Sequence, residues 1–262
     1  MKSPARWTID VLAALCPLLA RAAGDPAEYV LSPEVTRGER EIDGQAGIAW
    51  DRAGRSIWAG KLGVEYGLTA WWASEATMNV GRPLGEESTE LRSLEWENRF
   101  ELLESEEHPY GIGALLEVER AHDREEGYEL RYGPLLQYAR GPLQVNLNLL
   151  FERPLRASGD RTPTEIGYQW QWRWRRDAPF DWGLQGFGAL GRWDDWASSA
   201  RQSHVLGPVL FAALGEPAAS RGDDDDGEAG YGALPELEAG LLLGTGGEAP
   251  RVTLRLQAMI PF

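Results

Sequence analysis

The sequence has few residues suited to thiol chemistry and no segment suited to a transmembrane helix. Cys16 is its one cysteine, it has three histidines among 262 residues, and no apolar run approaches the roughly 18 residues that a membrane-spanning helix needs. A lone cysteine excludes an internal disulfide and a multi-cysteine zinc site. The formal net charge of −15 argues against nucleic acid as a partner, because binding it requires clustered cations that neutralise phosphates. The lone cysteine leaves no thiolate metal site, and we expect neither a cofactor nor a bound metal.

The first residues are typical of an export signal. Lys2 and Arg6 precede the apolar stretch VLAALCPLL (11–19), and the small-residue sequence Ala20-Arg21-Ala22 follows it. This order predicts a signal peptide over 1–22 with cleavage after Ala22; the alternative is a buried N-terminal helix. Cleavage would remove Cys16 and, with three basic residues and one acid, move the net charge from −15 to −17.

Beyond residue 40 apolar side chains recur at every second position. In RVTLRLQAMIPF (251–262) one face carries Val252, Leu254, Leu256, Ala258, Ile260 and Phe262. The stretches PLQVNLNLLFE, TEIGYQWQWRWR and SLEWENRFEL repeat the pattern. A period of two belongs to extended strands. We count about twelve such segments, near 41–50, 55–66, 70–80, 91–103, 109–120, 127–138, 142–152, 164–175, 180–191, 202–214, 232–243 and 251–262.

The connections between these segments alternate in length. YGLTA, ESEEHP, ARGP and RDAP are short, whereas GRPLGEESTE, RAHDREEG, RPLRASGDRTPT and RWDDWASSARQ are longer and polar. This alternation, the long strands and the many tryptophans and tyrosines favour an all-β, closed antiparallel up-and-down transmembrane barrel of about twelve strands. The alternative is a secreted β-sandwich or lectin-like sheet. The connection 215–232 is long where a short turn is expected, so a strand near it could be miscounted.

The predicted organisation has three parts: the signal peptide 1–22, an N-terminal periplasmic segment 23–40, and an outer-membrane barrel 41–262 with both termini in the periplasm. A terminal Phe262 on an alternating last strand resembles the assembly signal of outer-membrane barrels. The partners expected from this organisation are outer-membrane lipid and, through the C-terminal strand, the barrel-assembly machinery.

Several short motifs carry a family resemblance. EYGLTAWW, LEWENRFEL, GPLLQ and NLLFER, with the terminal Phe, resemble small proteobacterial outer-membrane barrels that include transporters of the "MetA-pathway of phenol degradation" type. The resemblance spans most of 40–262 and rests on strand rhythm and on the Tyr-Gly-Leu-Thr turn (66–69). It implies movement of small molecules, and it identifies no substrate and no catalytic residue.

An enzyme is the least favoured class. A barrel phospholipase would need a His-x-Ser pair, whereas Ser203 and His204 are adjacent and therefore point to opposite faces of a strand. An omptin-like protease could use His122-Asp123 and Asp194-Asp195, which also fit a solvated loop. The run Asp223–Asp226 could bind Ca²⁺, although four consecutive side chains cannot all converge on one ion, and a solvated loop is favoured.

Charged residues on the inward faces are the candidate pore lining. Across all segments we count thirteen acids against seven bases, which favours a passive channel for an unidentified small solute with a modest preference for cations. The alternatives are an internal ion-pair network in a non-conducting structural or adhesion barrel, and an enzyme. The leading candidates are Glu95, Glu97, Arg99, Glu101, Glu117, Glu119, Arg131, Arg173, Arg175 and Arg255.

Overall fold

A computed structural model describes residues 24–83, 86–103, 108–123, 126–155, 162–176, 180–214 and 235–262. Within these ranges every regular element is a β-strand, and no helix is long and apolar enough to cross a bilayer. The strands are β1 (Arg40–Trp50), β2 (Ser56–Gly67), β3 (Trp72–Arg82), β4 (Glu90–Leu103), β5 (Tyr110–Ala121), β6 (Tyr128–Arg140), β7 (Leu143–Leu155), β8 (Glu165–Trp174), β9 (Asp181–Arg192), β10 (Asp195–Trp196), β11 (Ser203–Ala213), β12 (Glu236–Gly244) and β13 (Val252–Pro261).

Twelve of these strands close into an antiparallel barrel. Each long strand pairs with its neighbours in the chain, and β13 returns to pair with β1, from Glu41 opposite Pro261 to Trp50 opposite Val252. The two-residue β10 only extends the hairpin edge of β9. The predicted all-β, closed twelve-strand architecture is thereby confirmed, and each of the twelve predicted segments overlaps one long strand.

The closed sheet separates two faces of opposite character. Along β13, Leu254 and Leu256 are 44% and 51% exposed on the outside, whereas Thr253, Arg255 and Gln257 are buried inside. In water this arrangement would be inverted. It is stable where lipid meets the outer face and where closure pairs the backbone groups of every long strand.

The barrel has two ends, which we name by their sequence landmarks. The terminal end carries the start of β1 and the end of β13, where the Phe262 backbone N–H donates to the Arg40 carbonyl at 3.0 Å. The opposite end is the loop end. Outward aromatic side chains gather at both: Tyr66, Trp71, Phe100, Tyr110, Tyr138, Trp174 and Trp182 near the terminal end, and Trp50, Trp58, Tyr128, Tyr168, Trp193 and Trp196 near the loop end. Two girdles of this kind suit the two interfaces of a bilayer.

Residues 24–39, which we call the strap, lie inside the barrel. The strap starts beside the terminal end, where the Gly38 N–H donates to the Gly67 carbonyl at 2.8 Å. Followed backwards along the chain, it rises through the lumen until Asp25 reaches Lys61 in the middle of β2. The segment 23–40 was expected to be periplasmic, and its residues 24–39 lie within the lumen. Wall glycines leave room for the strap backbone, and inward leucines pack against it.

Candidate functional site in the lumen

The predicted pore-lining residues face the lumen or its mouth. Alternation and burial place Glu95, Glu97, Arg99 and Glu101 on the inner face of β4, and Glu117 and Glu119 on that of β5. Arg131, Arg173 and Arg255 face inward from β6, β8 and β13. Arg175 lies one residue beyond β8 and is exposed at the terminal-end mouth, where its N–H donates to the Pro142 carbonyl at 2.7 Å.

A row of carboxylates runs across five neighbouring strands in register. Cross-strand pairing sets Glu41 opposite Glu65, Glu65 opposite Glu75, Glu75 opposite Glu97, and Glu97 opposite Glu117. Like charges directly opposite one another destabilise a sheet. The row continues to Arg131 on β6, which is opposite Glu117. Because this row of like charges destabilises the sheet locally, something besides sheet stability determines the charge of the wall.

Arginines neutralise part of this carboxylate row. Arg99 pairs with Glu65 and lies 3.4 Å from Glu97, and Arg131 lies 3.5 Å from Glu117. Within the described residues no ion pair joins Glu41 or Glu75 to a cationic side chain. The wall of β1 to β3 therefore remains strongly acidic.

The strap supplies acids to two wall cations. Asp25 lies 3.2 Å from the Lys61 ammonium, and Glu28 lies 3.3 Å from the Arg131 guanidinium. Gln169 Nε2 also donates to Glu28 at 2.8 Å. These contacts are polar and face a polar wall, so water can replace them at modest cost if the strap leaves.

One apolar contact anchors the middle of the strap. Leu31 is 2% exposed and packs against Leu115, Leu135 and Leu150, which project inward from β5, β6 and β7. Around this cluster the Asn148 amide donates to the Leu31 carbonyl at 3.0 Å. Inward leucines are out of place in a water-filled pore, and their partner here is the strap.

Wall glycines allow the strap backbone to approach closely. A Cβ on Gly47 would lie 1.9 Å from the Pro26 carbonyl oxygen, and one on Gly67 would lie 1.9 Å from the Thr36 carbonyl oxygen. On β5, a Cβ on Gly113 would lie 2.8 Å from Pro33. Any larger residue at these three positions would push the strap away from the wall.

Beside the strap lies a cavity of about 380 Å³, which we call the vestibule. It occupies the terminal-end half of the lumen, since Glu41, Arg175, Glu236 and Met259 at the strand ends line it. Tyr29 lines the vestibule and also an enclosed space of about 10 Å³ above it. That small space is about one water in size and lies among Glu75, Glu95, Glu97, Glu117 and Arg131, with other polar side chains. Tyr29 thus lies between the vestibule and this smaller space.

The far wall of the vestibule is an ion-paired surface. Arg173 lies 2.8 Å from Asp181 and 2.6 Å from Glu236, and its guanidinium covers the Phe211 ring at 4.3 Å. Arg255 pairs with Glu238 at 2.8 Å. The β8 to β13 wall is therefore largely neutralised, in contrast to the wall of β1 to β3.

Carboxylates also converge higher in the lumen. Oxygens of Glu95, Glu117 and Glu119 lie within 4.8 Å of one another, a spacing that could surround a metal ion. Lys61 lies 3.4 Å from Glu95, and Arg131 neutralises Glu117. Protein cations thus already pair with two of these three carboxylates.

The candidate catalytic residues do not form a triad. Ser203 is buried on the inner face of β11, while the His204 ring lies outside, with Nδ1 2.9 Å from the Tyr168 hydroxyl and Nε2 2.9 Å from Gln202 Oε1. Asp194 pairs with Arg192 at 3.0 Å. The acidic run Asp223–Asp226, and the connection 215–232 around it, lie outside the described residues.

Sequence reasoning missed part of the site. Glu41 and Asp43 on β1 alternate with Ile42 and Gly44 and could have been counted as inward. The strap has no strand rhythm of its own. Its signal is indirect: Leu115-Leu116, Leu135-Leu136 and Leu149-Leu150 each put one leucine on the inner face.

Comparison with known proteins matches the fold and leaves the family open. No protein-family model and no curated protein sequence matches the chain. Among solved structures, an outer membrane channel from Pseudomonas putida F1 is similar with a TM-score of 0.60 and 11% identity, covering 91% of this chain and 99% of that chain. The NanC porin is similar with a TM-score of 0.54 and 11% identity, covering 83% and 97%.

The fold and these similarities define the class. The chain is a closed twelve-strand transmembrane β-barrel with the architecture of outer-membrane channels. At 11% identity the likeness concerns the fold and does not determine the activity, which depends on the lumen.

Proposed function

We propose that the protein is a passive channel of the Gram-negative outer membrane for small solutes, with a modest preference for cations. The single observation that carries the proposal is the vestibule of about 380 Å³, which opens inside a polar, acidic barrel. A negatively charged lumen between low-dielectric walls concentrates cations and disfavours anions. Export by the predicted signal peptide 1–22 and insertion guided by the C-terminal strand belong to the same proposal.

With the strap docked in the lumen, the proposed channel is closed. Leu31, Leu135 and Gln169 are 2% exposed or less at mid-lumen, so the packing there matches a protein interior. Passage of solute requires the strap to move, and the polar character of most of its contacts keeps that movement within reach. The resemblance to transporters of the phenol-degradation type agrees with this proposal and leaves the solute unidentified.

A second candidate is a non-conducting structural or adhesion barrel. The strap-filled middle of the lumen favours it, because a permanently docked strap would leave no path. The extensive ion pairs of Arg99, Arg131 and Arg173 would then serve only to stiffen the barrel. An enzyme is disfavoured by the separation of Ser203 from the His204 ring.

Single-channel recording separates the two candidates. Purified protein in planar bilayers should show small, infrequent openings, and a variant lacking residues 24–35 should conduct more and more steadily. Reversal potentials in a salt gradient should show a modest cation preference. Absence of conductance in both proteins, with correct folding shown by heat-modifiable migration in gels, would establish the structural barrel.

A further inference from the structure

We propose that the vestibule binds a short linear diamine, through the unpaired carboxylates of its β1 to β3 wall. The inference rests on the proposed channel function and names its solute class. Four acids define this face: Glu41, Asp43, Glu65 and Glu75. Arg99 neutralises Glu65, which leaves three carboxylates without a cation in the part of the chain that the structure describes.

Asp43 on this face has one carboxylate oxygen that lacks a hydrogen-bond donor. Its Oδ2 accepts hydrogen bonds from Gln45 Nε2 at 2.8 Å and from Gln257 Nε2 at 3.0 Å. Its Oδ1 has no hydrogen-bond partner, although the residue is 4% exposed and lines the vestibule. A buried carboxylate oxygen without a donor is costly, and a bound ammonium group would supply the donor.

Glu41 and Glu75, on the same wall, also lack a cationic partner among the described residues. The Thr77 hydroxyl donates to Glu75 at 2.8 Å, which leaves the charge of Glu75 without a cationic partner. The two glutamates lie on β1 and β3, two strand spacings or about 10 Å apart at the backbone. With the carboxylates at that same spacing, two ammonium–carboxylate contacts of about 2.8 Å each leave about 4 Å between the two nitrogens of a bridging ligand.

The spacing favours a dication over a bare metal ion. Among described residues, the acids that converge within 4.8 Å are Glu95, Glu117 and Glu119, and the vestibule acids do not join them. A metal ion needs several oxygens within about 2.6 Å of its centre. A chain of a few methylenes between two ammonium groups spans separated carboxylates, and Val30 and Met259 provide apolar contact for the methylenes.

Calorimetry on the full-length barrel in detergent micelles tests this assignment. The ligands are 1,4-diaminobutane, 1-aminobutane as the single-charge control, and MgCl₂. We expect the diamine to bind at least about tenfold more tightly than the monoamine, because it gains a second charge-assisted contact. The double variant Glu41→Gln/Glu75→Gln should lose about tenfold or more, and Asp43→Asn should weaken binding in the same direction.

The matched control is Glu165→Gln, an inward carboxylate at the start of β8 near the loop end, which should bind the diamine as the wild type does. Equal binding of diamine and monoamine, or unchanged binding in both vestibule variants, would overturn the proposal. Binding of Mg²⁺ that the diamine does not displace would also overturn it, in favour of an inorganic cation site. Diamine binding without conductance would refute the channel and leave the diamine-binding site, whereas conductance without diamine binding would refute the site and leave the channel.

Discussion

Replacing Gly47 with valine should drive the strap off the wall without disturbing the barrel. A Cβ at position 47 would lie 1.9 Å from the Pro26 oxygen, 2.3 Å from its carbonyl carbon and 2.8 Å from the Ala27 nitrogen. These are backbone atoms, so no side-chain rotation relieves the overlap. Ordinary contact begins near 3.4 Å, and the strap must therefore move by about 1.5 Å at this point.

The size of the effect follows from what that movement breaks. A shift of this size carries Asp25 away from Lys61, which it now approaches to 3.2 Å, and it opens the packing around Ala27, which is 3% exposed. Overpacking of this kind costs about 1–3 kcal/mol. The undocked-to-docked ratio of the strap should rise about 5- to 150-fold, since 1.4 kcal/mol is a factor of ten.

Cysteine labelling reports this ratio directly. With Cys16 replaced by serine, an Ala27→Cys substitution places the chain's one thiol on the strap, and a charged maleimide reacts with it only when the strap is undocked. Gly47→Val should accelerate labelling and increase the open time in single-channel records. The matched control is Gly44→Val on the same strand, where a Cβ points outward and meets only the Ala258 oxygen at 3.9 Å. Equal labelling rates in the two valine variants would refute the docking described for the strap.

Three further predictions concern the anchor, the charge and the assembly of the barrel. Leu31→Ala should destabilise the docked strap by about 2–5 kcal/mol and raise conductance toward that of the strap deletion, whereas Leu94→Ala on the exposed outer face should not. Replacing Glu95, Glu97 and Glu117 by glutamine leaves Lys61, Arg99 and Arg131 with fewer counter-charges, so reversal potentials should shift toward anions; an unchanged potential would place the ion path elsewhere. Deleting Phe262 should reduce membrane insertion and leave degraded chain in the periplasm, and normal insertion would make Phe262 an ordinary lipid-facing residue.

The period of two in the sequence was sufficient to predict the barrel. Each residue of a strand must face either lipid or lumen, so alternation of Leu254 and Leu256 with Thr253 and Arg255 encodes the wall locally. Strand count, connection lengths and the inward position of residues such as Glu97 and Arg131 follow from the same local rule. The structure agrees because each long strand pairs with its neighbours along the chain, and the one pairing between distant strands is that of β13 with β1.

Tertiary structure alone decided what occupies the lumen. The strap contacts Gly47, Leu115 and Gln169, which are distant from it in sequence. The residue pattern of the strap itself does not predict these partners. Register likewise decided which acids meet: Glu41, Glu65 and Glu75 lie on three strands, and a slip of two residues would keep every face while separating their charges. The face of the sheet on which a side chain lies is a local property of the chain. Which side chains become neighbours in the lumen depends on how the twelve strands are staggered around it, and only the closed barrel determines that stagger.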